Sequence, residues 1–183
     1  ALRFARFLAA RDRGLPEFER AGFQPVEGDS WEETPHLKLM AGAMLRPAIE
    51  ETITAFEDRE GVQVSRDYNG CGILVAKMKT GQQSPDAFFA CDREFMHMVQ
   101  DRFDSPTTIS GNQLVILVHK GNPHKIRKLR DLGKPGLRVG VGHEKQCAMG
   151  VLTQQTLRED KTDQVVMKNI KVQSPTGDML VNQ

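Results

Sequence analysis

Residues 62–80, VQVSRDYNGCGILVAKMKT, decide how the rest of the chain is read. The run opens strand-like at 62–65, turns at Gly70-Cys71-Gly72, and continues through 80 as a helix. The same order recurs twice. Ala41-Gly42-Ala43-Met44 follows a short strand at 37–40 and leads into a helix reaching about residue 60. Pro47 falls near the start of that helix, where its missing N–H costs least. Gly140-Val141-Gly142-His143 closes a strand at 137–141 and precedes a helix at 146–158. Strand, glycine turn and helix in repetition imply α/β layering with largely parallel strands. In such sheets ligands sit beyond the carboxyl ends of the strands, where these turns lie. A helix start presents unpaired N–H groups and the positive end of a dipole. Several of them facing one cleft hold a small anion without any charged side chain.

Working outward, helical spacing of Phe4, Phe7 and Leu8 is followed by a break at 12–14 and a second short helix ending at Gly22. Residues 23–26 read as extended and 27–35 as a polar linker. Further strands are expected at 87–90, 113–118 and 165–172. Further helices are expected at 93–102, with Phe95, Met96 and Val99 on one side, at 126–132, and from Gly177 onward. Gly121-Asn122-Pro123 marks a turn. Asp92 reads as a cap for the helix that follows it.

The composition excludes several classes. With 25 Lys and Arg against 24 Asp and Glu, the formal net charge is only +1, so nothing marks a nucleic-acid partner. The locally basic 120–130, KGNPHKIRKLR, is broken by Gly121 and Pro123 and reads as a solvated loop and short helix. No apolar run approaches the roughly 18 residues of a membrane span, so no membrane insertion is expected. At 39% apolar and 27% charged residues the chain is globular, with room for one domain or two small lobes. No signal peptide is visible; the chain opens in mid-helix at Ala1-Leu2-Arg3-Phe4, as an excised piece would. Three cysteines cannot form a complete disulfide framework within one chain. No nucleophile elbow, HExxH or P-loop lysine motif occurs, so no enzyme activity and no cofactor are expected.

From about His36 to Gln183 the chain resembles the solute-binding proteins of molybdate/tungstate ABC importers. The stretches that carry the resemblance are AGAMLRPAIEETITAFEDREGVQV, YNGCGILVAKMKTGQQSPDAFFACD, NQLVILVHKGNP and LRDLGKPGLRVGVG. It implies a periplasmic-binding-protein fold of the second type, with two α/β lobes, 36–111 and 112–183, closing by a hinge near Cys91 and Ser110 over an oxyanion. FARFLAARDRGLPEFERAGFQPV, at 4–26, resembles the helices that normally end such proteins, although here it comes first. The resemblance thus implies a tandem or a permuted parent, and a second lobe expected to be incomplete after Gln183. Residues 1–35 form a helical segment plus linker, with 1–26 expected to pack on the 36–111 lobe.

The resemblance also implies a site. The family's first contact, a Ser after a strand, matches Ala43 beside Gly42, so only backbone N–H groups remain there. Its second, a Ser between glycines, matches Cys71 beside Gly70. Its third falls in the loop after Gly142, at Cys147 and Ala148. Its fourth falls at a helix start, Thr176 and Gly177. Cysteine at two contacts creates a tension. An S–H is a poor donor beside an O–H, and a helix start favours the thiolate, which repels a dianion. Three resolutions are open: neutral thiols among many N–H donors, a disulfide closing the site, or a soft metal held by Cys71, Cys147 and His143. Cys91 reads as a core residue.

The resulting expectation is an extracytoplasmic or periplasmic protein that captures a molybdate- or tungstate-like oxyanion and delivers it to an ABC importer permease. Two alternatives are a soft-metal or thiol redox-sensing domain using Cys71 and Cys147, and the effector-binding domain of a transcription regulator.

Overall fold

The computed structural model describes residues 2–183; Ala1, first residue of the expected 1–35 segment, lies outside them. The chain packs as two units, one comprising residues up to Lys38 together with Ala48–Ser65, the other Leu39–Pro47 together with Arg66–Gln183.

In the first unit, α1 (Leu2–Ala9) and α2 (Leu15–Arg20) bracket the expected break. Arg6 Nη2 donates to the carbonyl of Glu60 at the end of α3 (Arg46–Glu60) across 2.8 Å. The Phe7 ring meets Trp31 edge-on with centroids 5.2 Å apart. The Trp31 amide donates to the Asp12 carboxylate at 2.7 Å and holds that carboxyl below its usual range. Residues 23–26, expected to be extended, form no strand.

The second unit carries the parallel pairings. The strands β1 (His36–Gly42), β2 (Gln63–Asn69) and β3 (Ala87–Phe89) form a sheet in the order β2-β1-β3. β1 and β3 are parallel, with Leu39 opposite Ala87 and Ala41 opposite Phe89. β4 (Val139–Gly142) and β5 (Ile170–Ser174) form a second parallel pair, with Gly142 opposite Ser174. Helix α4 (Cys71–Lys79) buries Cys71, Leu74, Val75 and Met78, the i, i+3, i+4, i+7 stripe of a core-facing helix. These side chains pack with Met40, Phe88, Phe95, Val99 and Ala148. Asp92 caps α5 (Arg93–His97) by accepting the Glu94 amide at 2.9 Å. Completing the unit are α6 (Ala148–Glu159), α7 (Asp163–Val166) and α8 (Gly177–Val181).

Three expectations are corrected. Residues 113–118 form no strand, and Val115 and Leu117 are 84% and 80% exposed. The alternation is strand-like, but a strand exists only with a neighbour to hydrogen-bond. The expected helix at 126–132 is a 3-10 turn over Leu129–Gly133, whose Asp131 carboxylate accepts the amides of Arg127 and Lys128. The expected strand at 165–172 begins as α7, runs through a 3-10 turn at Met167–Asn169, and becomes extended only in β5. Burial of Val166 in that helical turn overrides the strand preference of its β-branched residues. The 121–123 turn stands: Gly121 and Asn122 both adopt positive φ, and the Asn122 amide closes on both backbone groups of Ile126.

Candidate functional site

Parallel pairing brings the strand ends together, and with them the turns that follow. The β1–β3 register places Gly42 and Ala43 beside 90–91. A Cβ on Gly42 would lie 2.1 Å from Cys91 Sγ and 2.9 Å from Cys71 Sγ, so only glycine fits there. The β4–β5 register likewise sets the loop after Gly142 against 175–177, where the His143 amide donates to the Ser174 carbonyl at 2.7 Å. The two sets of turns meet at Gly70 and Gly72. A Cβ at Gly70 would strike the carbonyls of Gln146 and Pro175 at 2.3 and 2.4 Å, and the Gly72 amide donates to the Gln146 carbonyl at 3.1 Å. Met44 and Met149 both press on Gly177. Ala43, Cys71, Cys147, Ala148, Thr176 and Gly177 therefore belong to one neighbourhood of contacting turns, five of the six buried and Ala43 half-buried.

Polar groups in that neighbourhood fall into three kinds. Backbone N–H groups begin helices without side-chain caps: Gly70 precedes α4, Cys147 precedes α6, and Thr176 precedes α8. Three amides of these turns are already bonded, Gly72 to the Gln146 carbonyl at 3.1 Å, Cys147 to the His143 carbonyl at 3.1 Å and Gly70 to Asn69 Oδ1 at 3.0 Å, so the turns close on one another. The second kind is a pair of hydroxyls. Ser174 Oγ and Thr176 Oγ1 are buried and meet no hydrogen-bond partner among the described residues, although most buried side-chain polar atoms do. Ser174 was not among the expected contacts; its serine at the end of an alternating strand, two residues before the expected Thr176, was the available signal.

The third kind is sulfur. All three cysteines are free, Cys71 and Cys147 buried and Cys91 half-buried. The Cys91 amide lies 3.2 Å from Cys71 Sγ. The Cys91 thiol donates to Cys71, which lowers the Cys71 thiol from its usual 9.0 and raises that of Cys91. Burial pushes the Cys147 thiol up, against the pull of the Gly150 and Met149 amides. Cys91 thus touches Cys71 as well as the core it was expected to fill. The alternative metal set of Cys71, Cys147 and His143 is not assembled. Among the described residues no three His, Cys, Asp or Glu side chains are placed to hold a metal ion. His143 Nδ1 instead accepts the Lys145 amide of its own turn at 3.2 Å.

Two depressions lie on the surface, the first reaching the outer side of the turn after Gly142. One, of about 540 Å³, is lined by Glu144, Lys145 and the outer face of α6; the other, of about 220 Å³, lies around Leu15 and Pro25. Neither is lined by an expected site residue. No helix among the described residues is long and apolar enough to cross a membrane.

With this geometry in view, the chain can be placed among known proteins. The molybdate-binding protein ModA of Mycobacterium tuberculosis H37Rv is 32% identical over 107 residues, covering 56% of this chain and 41% of that protein. ModA of Escherichia coli K12 is 23% identical over 143 residues, covering 73% and 55%. The chain thus spans about half the length of these curated relatives. Among solved structures, the periplasmic molybdate-binding protein of Azotobacter vinelandii superposes with a TM-score of 0.59 at 15% identity, over 80% of this chain and 65% of that one. L-phospholactate-bound PEB3, from Campylobacter jejuni, superposes with a TM-score of 0.53 at 22% identity, over 78% and 66%. At these identities the likeness establishes the fold alone, the α/β fold of those two proteins. The profile of bacterial extracellular solute-binding proteins matches residues 37–182, and the chain belongs to that family.

Proposed function

We propose that this chain is the oxyanion-binding part of an extracytoplasmic solute-binding protein, taking a molybdate- or tungstate-like dianion for delivery to an ABC importer permease. The observation that carries the reading is the pair of unpartnered buried hydroxyls, Ser174 Oγ and Thr176 Oγ1, set among uncapped helix starts. Burying a hydroxyl without a partner costs on the order of 1–3 kcal/mol, and an anion accepting from it recovers that cost. The names of the ModA relatives point to the same ligand class.

In this reading the donors are the amides around Gly42–Ala43, Gly70–Cys71, Cys147–Ala148 and Thr176–Gly177, with the two hydroxyls. Residues 36–111 and 112–183 act as two lobes that part to admit the ligand, and 1–35 supplies helices of the type that end the family's domains. Entry exchanges the Gly72 N–H bond to Gln146 for one to the anion, which keeps that donor satisfied in both states. With no cation required at the contacts, selection rests on ligand size and the number of donors it can reach, and sulfate is the ion to be rejected.

Isothermal titration of the reduced chain with molybdate, tungstate and sulfate tests the reading. Saturable one-to-one heat with molybdate or tungstate, and much weaker heat with sulfate, is the expected result. Absence of heat with all three, from protein whose circular dichroism shows it folded, defeats it.

A further inference from the structure

Cys71 and Cys91 sit on different elements, α4 and the turn after β3, yet both sulfurs crowd the point where a side chain of Gly42 would begin. Distances of 2.1 and 2.9 Å from that single point leave the sulfurs no more than about 5 Å apart, and the Cys91 amide is 3.2 Å from Cys71 Sγ. Three features make the arrangement specific. Gly42 is the one residue that leaves the space open. The α4 core stripe fixes Cys71 from the other side. Cys91 remains half-buried, so the pair is within reach of a small solute. A bond between them requires the sulfurs to close from that separation to about 2 Å. Cys147, although nearby, has its sulfur against Gly142 instead.

We propose that Cys71 and Cys91 form a reversible dithiol–disulfide pair, a redox modification site within the turn cluster, oxidised by a small peroxide. One sulfur attacks the peroxide, its S–H and the O–O bond break, and a sulfenic acid and one water result. The second sulfur displaces the sulfenic oxygen as a second water, losing its own proton as the S–S bond forms. Two thiols thus give up two electrons, and hydrogen peroxide becomes two waters. A thiol reductant reverses the bond by exchange. One consequence rests on the oxyanion reading: the bond draws the Cys71 side chain to the Cys91 side and removes its S–H, so the oxidised chain binds the anion more weakly.

The test uses the 183-residue chain, fully reduced and freed of reductant, then exposed to equimolar hydrogen peroxide and quenched by alkylation before peptide mass mapping. The expected product is an intramolecular Cys71–Cys91 cross-link, lighter by two hydrogens, with Cys147 recovered alkylated and both thiols regained after reduction. The same treatment in denaturant is expected to scatter oxidation over all three cysteines. Recovery of Cys71 and Cys91 both alkylated, a cross-link through Cys147, or oxidation that stops at sulfinic acid overturns the proposal. Prior addition of molybdate is expected to slow cross-linking several-fold. Cross-linking that molybdate leaves unchanged sustains the thiol pair and counts against the oxyanion site instead.

Discussion

At the scale of single residues, the hydroxyls and thiols separate ligand binding from stability. Ser174→Ala removes a buried hydroxyl that meets no partner, so melting temperature is expected to hold or rise. Anion affinity should nevertheless fall roughly tenfold, about 1.4 kcal/mol, which titration reads directly. A structural role for that hydroxyl would lower both together. Cys71 sets a pH dependence whose sign follows from charge. Its thiol is lowered from 9.0, chiefly by the donated Cys91 S–H. The neutral thiol tolerates a dianion and the thiolate repels it. Affinity is therefore fully present below the Cys71 titration and lost as pH rises through it, at a lower pH than for an ordinary thiol. In Cys71→Ser this alkaline loss is expected to vanish, because a serine hydroxyl does not ionise in that range, and a titration series across pH shows whether it does.

At the scale of elements, glycines hold the turns together by letting backbones touch. Gly70→Ala sets a Cβ 2.3 Å from one carbonyl and 2.4 Å from another, neither of which is a flexible side chain. A loss of about 1–3 kcal/mol in chemical denaturation is expected. Gly111→Ala, with nothing within 4 Å and no positive φ, should lie within about 0.5 kcal/mol of the parent and serves as its control. The segment 113–118 provides a second contrast. Because Val115 and Leu117 point outward, replacing both by Lys should leave stability within about 0.5 kcal/mol and reduce self-association in light scattering. A large loss would mean that the segment is a paired strand after all.

These elements also show what the sequence made legible. Glycine after a strand and before a helix was readable because φ freedom and close approach leave a compositional mark, and β1, α3, α4, β4 and α6 all fall within two or three residues of their expected positions. The segment 113–118 was misread because alternation reports a strand's faces and says nothing about whether a neighbour exists. Residues 165–169 were misread because Val-rich sequence favours extension until burial of Val166 decides otherwise. At the site, Cys71 and Cys147 were visible as departures from the pattern the chain resembles. Ser174 left only a faint mark, a serine at the end of a strand, and the closeness of Cys91 to Cys71 left none, since it depends on parallel register, which no local pattern specifies.

At the scale of the whole molecule, ligand binding and stability are linked. A ligand that binds only the folded chain stabilises it by about 2.7 kcal/mol at a hundredfold excess over Kd. Molybdate or tungstate is therefore expected to raise the melting temperature of the reduced chain by several degrees, with sulfate at the same concentration doing much less. The most direct measurement is anomalous diffraction from crystals of the reduced chain grown with tungstate, because tungsten marks its own position. One strong peak is expected, ringed by the amides of Ala43, Cys71, Ala148 and Gly177 with the hydroxyls of Ser174 and Thr176 turned toward it. A peak in the depression beside α6, or anywhere else remote from those amides and hydroxyls, would contradict that expectation.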